Sequence, residues 1–390
     1  MRSFFRASLA VLTVLLSAAV LNSAAAAAEP KPRTPMVRVL VLENAKSLKL
    51  SVKGGYELYG LPATSFIQKG RELESVPVTA SPSGIRVGGK ALSARGLRVD
   101  PAEERDLYIN NSRFRGSVDI WSDPVSQTLT VVNTVDIESY LYGVLHHEVA
   151  HWWPMEALKA QAIAARTYAL YQMQVSRSQP YDLKSSTASQ VYGGATQERF
   201  RAKRAVDMTR GQILTYKGRL FPAYFHATCA GMTAAASELW NIDTQPLKGG
   251  VPCDYCKISP HYYWHAKVPV SDIEQKLAKS GRPVGQILKI EKISQTPSGR
   301  VGSLRITGNA DAAVVAAKDL RVWVGGDKMR STDFAVSVHD DVAEFKGAGW
   351  GHGVGLCQWG ALGQALIGRS CETILAYYYP DSVIGNYGTV

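Results

Sequence analysis

The sequence predicts an α+β fold, a mixed β-rich domain with one long Ala-rich helix and few additional helices. Three observations predict it. Short alternating or apolar runs begin near residue 36 and recur to residue 135. One Ala-rich stretch, residues 154–173, carries helical periodicity. Strand-like runs then return between residues 213 and 307, separated by Gly- and Pro-containing turns.

Residues 1–28 read as a secretory signal peptide. Arg2 and Arg6 give a basic start, residues 9–21 an apolar centre, and residues 24–28 a small-residue cleavage zone. The apolar run is short for an anchor, and no later stretch would span a bilayer. The expected destination is outside the cytoplasm, periplasmic or extracellular and cell-wall associated, with no transmembrane anchor after cleavage. Residues 29–36 make a flexible leader. Residues 37–130 form a β-rich N-terminal part, and residues 131–385 the region expected to carry the chemistry. In the first part, residues 37–42, 48–52, 114–121 and 129–135 read as strands, with Gly54-Gly55 as a hairpin signal. Asp136 has the side chain to cap a short helix over residues 137–144. Pro154 suits the first turn of the long helix, with Glu156 near its positive end. Leu158, Ala162, Ala165, Ala169 and Met173 form one apolar stripe, and Lys159, Ile163, Arg166 and Leu170 a second. Residues 213–216 and 222–226 read as strands, residues 271–280 as a helix ended by Gly281, and residues 371–379 as a helix ended by Pro380. Residues 347–355 are a glycine-dense loop.

The net charge of +11 falls to +9 once Arg2 and Arg6 leave with the signal. A basic exported surface suits an acidic wall polymer, polysaccharide or lipid. No basic run is interleaved with aromatics, so nucleic acid is not an expected partner. The 46% hydrophobic content is enough for a substantial core.

Glu148 concentrates the chemical question. His147-Glu148-Val149-Ala150-His151 spells H-E-x-x-H, in which two histidines on one helical turn hold zinc and the glutamate activates water. Its context is unfavourable: Trp152-Trp153-Pro154 follows at once, and the residue before proline is pushed out of helical geometry. The positions of the metzincin glycine and third histidine hold Pro154 and Ala157.

A longer string gives the other reading. Tyr140-Leu141-Tyr142-Gly143-Val144, Glu148, Trp153-Pro154, Glu156-Ala157-Leu158-Lys159-Ala160-Gln161-Ala162 and Ala164-Ala165-Arg166-Thr167-Tyr168-Ala169 closely resemble the core of the SpoIID/LytB family (stage II sporulation protein D, amidase enhancer). Ser189-Gln190-Val191-Tyr192-Gly193-Gly194 resembles that family's Q-x-Y-x-G element, and residues 349–361 its G-H-G-V-G-x-x-Q-x-G-A loop. The resemblance runs over residues 37–382. It implies a lytic transglycosylase that cleaves the β-1,4 bond between N-acetylmuramic acid and N-acetylglucosamine in peptide-stripped peptidoglycan. One glutamate, here Glu148, would act as acid and then base and leave 1,6-anhydro ends. No cofactor is required for that chemistry. The same family contains enhancers of cell-wall amidases, so a non-catalytic glycan-binding role and an amidase partner stand as the alternative.

Beside Glu148, the expected substrate-binding residues are Trp152, Trp153, Lys159, Arg166, Gln190, Tyr192, His352 and Gln358. Most have a structural reading too: core packing for the tryptophans, ion pairing with Glu156 or Glu148 for the cations, structural packing for Gln190 and Tyr192, and a satisfied structural histidine for His352. His226, Cys229, Cys253 and Cys256 give H-x-x-C and C-x-x-C, a composition suited to a structural zinc ion. Disulfides are the rival reading, because export permits them. Some members of the family hold zinc just before the Q-x-Y element; Lys184, Ala188 and Ser189 occupy that stretch here. Cys357 and Cys371 are left unpaired or paired with each other.

Overall fold

A computed structural model describes residues 34–103, 107–186 and 189–389. The signal-peptide reading of residues 1–28 therefore lies outside the described residues.

The first half is one large sheet. Its strands are β1 (Met36–Ala45), β2 (Ser47–Leu61), β3 (Ser65–Ser81), β4 (Gly84–Val87), β5 (Lys90–Leu92), β6 (Gly96–Pro101), β7 (Leu107–Ile109), β8 (Ser112–Phe114), β9 (Ser117–Asp123) and β10 (Thr128–Asp136). Side chains alternate between faces, so Leu48, Leu50, Val52, Tyr56 and Leu58 of β2 all enter the core. Gly54-Gly55 is not a hairpin. It lies inside β2, where the pairing with β3 shifts register between Lys53 and Tyr56 and Gly54 takes φ 105°. The glycines thus serve a bulge, and the chain turns later, between Leu61 and Ser65.

Helix α1 (Ile137–Glu148) follows β10 directly. Asp136 caps it, its Oδ1 accepting from the backbone N–H groups of Glu138 and Ser139 at 3.1 Å each. The helix runs a full turn past the residue 144 expected from sequence and stops at Glu148, because Val149 is extended at φ −141°, ψ 149°. Helix α2 (Met155–Val175) begins after Pro154. It is buried nearly all round between two cores. Leu158, Ala162, Ala165 and Ala169 face the sheet core, while Ala160, Ile163 and Ala164 join a second core with Phe221, Leu356, Ile374 and Tyr378. A helix covered on both sides needs small residues for close approach, and this accounts for its alanines.

The chain continues through β11 (Leu183–Lys184), parallel to β1, then α3 (Phe200–Met208), β12 (Gln212–Thr215) and the short β13 (Phe225–His226). β14 (Gly231–Met232) pairs with β15 (Pro252–Cys253). A third core follows, from β16 (Tyr263–Pro269), α4 (Val270–Lys279), β17 (Ile287–Gln295), β18 (Val301–Gly308), β19 (Ala312–Ala316), α5 (Ala317–Val324), β20 (Phe334–His339) and β21 (Val342–Ala348). The chain then returns to the second core with β22 (Leu356–Cys357), α6 (Gln358–Leu366), α7 (Cys371–Tyr378) and β23 (Val383–Asn386). β22 lies parallel to β13, with His226 opposite Cys357. No helix among the described residues is long and apolar enough to cross a membrane.

Candidate active site

The C-terminal end of α1 opens into a cavity of about 420 Å³. Glu148 is the one carboxyl group among the described residues that line it. Two sequence-remote walls meet there.

The near wall is α1 and the segment from Ser189 to Gly194. That segment is pinned by its alternate side chains. The Gln190 carbonyl oxygen accepts from the Tyr140 hydroxyl at 2.8 Å, and its amide donates to the Ala165 carbonyl at 3.3 Å. The Tyr192 hydroxyl donates to Asn133 at 2.9 Å, and its ring lies flat on Gly143, where a Cβ would come within 2.6 Å of it. With residues 190 and 192 turned inward, the Val191 N–H points to the Glu148 Oε1 at 3.4 Å.

The far wall is β13 and the glycine loop before β22. Gly351 takes φ 106°, and a Cβ there would sit 2.7 Å from the Cβ of His226, so only glycine admits this close approach. The loop leads into Gln358 at the start of α6, whose amide donates to the Glu148 carboxyl. His226 and His352 line this wall with ring centroids 5.6 Å apart. His226 Nδ1 lies 3.2 Å from the Val354 carbonyl, and its Nε2 has no protein partner. His352 Nδ1 accepts from the Val354 N–H at 3.0 Å. Aromatic faces complete the lining: Tyr168, Tyr224, Phe225, Trp240 and Trp350, with Tyr224 and Trp240 stacked at 4.4 Å. Arg321, from α5, supplies a cation.

Burial raises the Glu148 carboxyl to about 7, against the opposing effect of its bonds from Val191 and Gln358. No ion pair among the described residues reaches it. Its place at a helix C-terminus adds to the preference for the neutral form. Burial likewise pushes His352 down to about 3, helped by the Arg321 and Arg300 cations, and His226 well below the usual imidazole range, helped by His352 and Arg300. The cavity at neutral pH therefore offers an acid that exchanges its proton and two neutral imidazoles. His147 and His151 cannot form the peptidase pair, because the helix ends between them and Val149 is extended.

The other sequence-selected residues divide sharply. His352 and Gln358 line the cavity. Trp153 is core, packed edge-to-face on Trp359 at 5.3 Å, and Trp152 is 64% exposed beside it. Lys159 pairs with Glu156 at 2.8 Å. Arg166 is fully buried and gives its guanidinium to Glu138 at 2.7 Å and to the carbonyls of Gln212 and Val206. Gln190 and Tyr192 act behind the wall, as described, and do not face a ligand. The expectation of direct substrate contact is corrected for Arg166, Gln190 and Tyr192, whose polar groups are spent on the protein itself. Tyr168, Tyr224, Trp240, Trp350 and Arg321 also line the cavity, and the sequence alone does not single them out. Tyr168 and Trp350 lay inside the matched blocks, but Trp240 and Arg321 carry no motif at all.

Among the thiols, the sulfurs of Cys229, Cys253, Cys256 and Cys357 all lie within 4.8 Å of one another. His226 is not in that group. Its ring faces the cavity, and Cys357, its neighbour across β13 and β22, stands in its place. Cys371 is apart, its backbone N–H donating to Glu156 at 2.8 Å.

Residues 125–216 match the family model described as Stage II sporulation protein (SpoIID). Stage II sporulation protein D of Bacillus subtilis is 30% identical, over 67% of this chain and 78% of its own length. The chain belongs to the SpoIID family. An uncharacterized protein of Brachyspira hyodysenteriae is 32% identical over 91% of this chain and 94% of its own. The amidase enhancer of Bacillus subtilis is 26% identical, and the aligned region spans 47% of that protein. Residues 255–355, which contain the third core and Arg321, match a domain of unknown function (DUF8618). The SpoIID match thus covers the near wall, and much of the far wall comes from the second matched region or beyond it.

Proposed function

We propose that this SpoIID-family chain is an exported peptidoglycan lytic transglycosylase with Glu148 as its acid and base. The observation that carries this reading is the single carboxyl group among the described residues that line the cavity, held at about 7 by burial. Ordinary glycosidases need two carboxylates, one for the leaving group and one for water or as nucleophile. A transglycosylase needs one, because the substrate brings its own nucleophile. Protonated Glu148 gives its proton to the glycosidic oxygen as the bond from the muramoyl anomeric carbon breaks. The resulting carboxylate takes the proton of the muramoyl C6 hydroxyl, and O6 closes onto the anomeric carbon. The products are a free hydroxyl and a 1,6-anhydro ring. Glu148 ends protonated again, and no water is consumed.

The rest of the lining suits the same substrate. Aromatic faces stack on sugar rings, and the neutral His226 and His352 can meet hydroxyl or acetamido groups without a charge penalty. Arg321 is matched to the free lactyl carboxylate that a muramoyl residue carries once its stem peptide is gone. Mass spectrometry of peptide-free glycan strands after digestion tests the proposal. Anhydro-muramoyl ends that vanish in Glu148→Gln support it. Reducing ends would mean a hydrolase, and binding without cleavage would mean a glycan-binding role of the kind the amidase-enhancer relative suggests.

A further inference from the structure

The cavity chemistry leaves the four-cysteine cluster unused. Its sulfurs come from four places in the chain: the turn after β13 (Cys229), β15 (Cys253), the helical turn that follows it (Cys256) and β22 (Cys357). The Cys229 and Cys256 sulfurs are 3.6 Å apart. A disulfide needs about 2.05 Å. A tetrahedron of sulfurs with metal bonds of about 2.3 Å has edges of about 3.8 Å, which fits this spacing.

Polar groups surround the sulfurs: the Cys256 and Cys357 sulfurs lie 3.4 Å and 3.7 Å from the Cys253 and Ala227 carbonyls, and donors reach them too. The Cys229 N–H points to the Cys357 sulfur at 3.3 Å, and the Ala230 N–H points to Cys256. The Tyr378 hydroxyl lies 3.1 Å from the Cys253 sulfur. Ala230 and Gly231, which follow Cys229, take φ 64° and 111°. The buried Arg300 donates through Nη2 to the Cys229 carbonyl at 3.0 Å, and its Nη1 has no partner. This cation has Asp333 and Glu238 near it as well as the Cys229 and Cys357 sulfurs, so a cluster carrying negative charge would add to its counter-charges.

We infer that Cys229, Cys253, Cys256 and Cys357 bind one structural zinc ion, separate from the Glu148 cavity. Four sulfur ligands close the shell, so the site holds structure and performs no chemistry of its own. It ties β13 to β22 and both to the turn at β15. The residue after one ligand is Gln358, and the residue opposite that ligand is His226, so the site braces the far wall of the cavity. The odd cysteine count is then four ligands and Cys371.

The full chain, purified without reductant or chelator, is assayed for metal and for thiols after unfolding with chelator present. About one zinc per chain and five reactive thiols are expected. Three or one reactive thiols would mean disulfides, and five thiols without metal would mean a plain apolar core; either result overturns the site. Cys253→Ser is expected to lose the zinc, and Cys371→Ala to keep it. If Cys253→Ser does not fold, refolding the natural chain with Co²⁺ decides: intense visible d–d bands with sulfur-to-cobalt charge transfer are expected, and their absence overturns the proposal. The bracing of Gln358 rests on the proposed role of Glu148. Metal removal should then lower glycan cleavage at least tenfold. A chain that carries zinc yet never cleaves glycan would refute the catalytic reading and leave the metal site standing.

Discussion

Glu138 opens helix α1 and Glu148 closes it, and the two carboxyl groups meet opposite surroundings. Glu138 is fully buried against Arg166, with further bonds from the Gly211 N–H at 3.0 Å and from the guanidinium at 2.7 and 3.1 Å. Its charge is answered on every side. Glu148 is desolvated as well, but it receives one weak backbone bond and one amide, and no cation. The first arrangement fixes a helix. The second leaves a carboxyl whose proton is available near neutral pH. A buried glutamate on this one helix can thus be held as half of an ion pair or left able to exchange its proton, and the presence of a guanidinium decides which.

The contrast can be broken by exchanging what each end lacks. Glu148→Gln should cut glycan cleavage roughly 10²–10⁴-fold while circular dichroism stays native and stability does not fall, because a general acid is lost and no ion pair is broken. Glu138→Gln should do the reverse damage, costing about 3–5 kcal/mol in denaturant unfolding by stranding Arg166 without a counter-charge. A folded, fully stable Glu138→Gln would remove the distinction between the two ends.

The pH dependence follows from the same difference. Glu148 must be protonated to act, so cleavage should fall about tenfold per pH unit above about 7. Stability has its own sign. The unfolded chain ionises this group above about 4.5, and the folded chain only above about 7. Wild-type stability is therefore lost progressively as pH rises between those values, and the loss is complete above them. Glu148→Gln should be more stable than wild type by about 3 kcal/mol at pH 8, with the gap closing near pH 4, as read by urea unfolding. An inactive variant that is also less stable at pH 8 would contradict the account of how burial holds the proton.

Smaller effects sharpen the outline of the cavity. Arg321→Met should raise KM for peptide-free strands about fivefold, near 1 kcal/mol, with little change for strands that keep their stem peptides. Trp152→Ala should shift stability by less than about 0.5 kcal/mol, because the ring is 64% exposed.

Much of this was legible in the sequence, for reasons that can be named. The α+β class, the Asp136 cap and the alanine helix follow from local periodicity and side-chain chemistry, and Glu148, His352 and Gln358 lay in matched blocks. Arg166 and Lys159 were ambiguous because spacing along a helix does not reveal which carboxylate lies across from it; that depends on β10 delivering Glu138 and on Glu156 turning toward Lys159. Gln190 and Tyr192 belong to a block that supports the acid through its backbone, and alternation within a short segment reverses which atoms face the cavity. Gly54-Gly55 carries a turn signal that a bulge satisfies equally well. Cys357 replaced His226 among the clustered sulfurs because β13 and β22 pair in parallel, a register that no local pattern encodes. Trp240 and Arg321 reach the cavity through loop and helix placements set by distant cores.

The parallel pairing of β13 with β22 also orders events in time. Until residues 351–358 have packed against α1, the Glu148 carboxyl lacks the Gln358 amide and the far wall that bury it. Its altered proton affinity appears only when the far end of the polypeptide has returned to cover it. A chain cut short before α6 would carry the whole core string and still lack Gln358 and the turn that closes the far wall over Glu148.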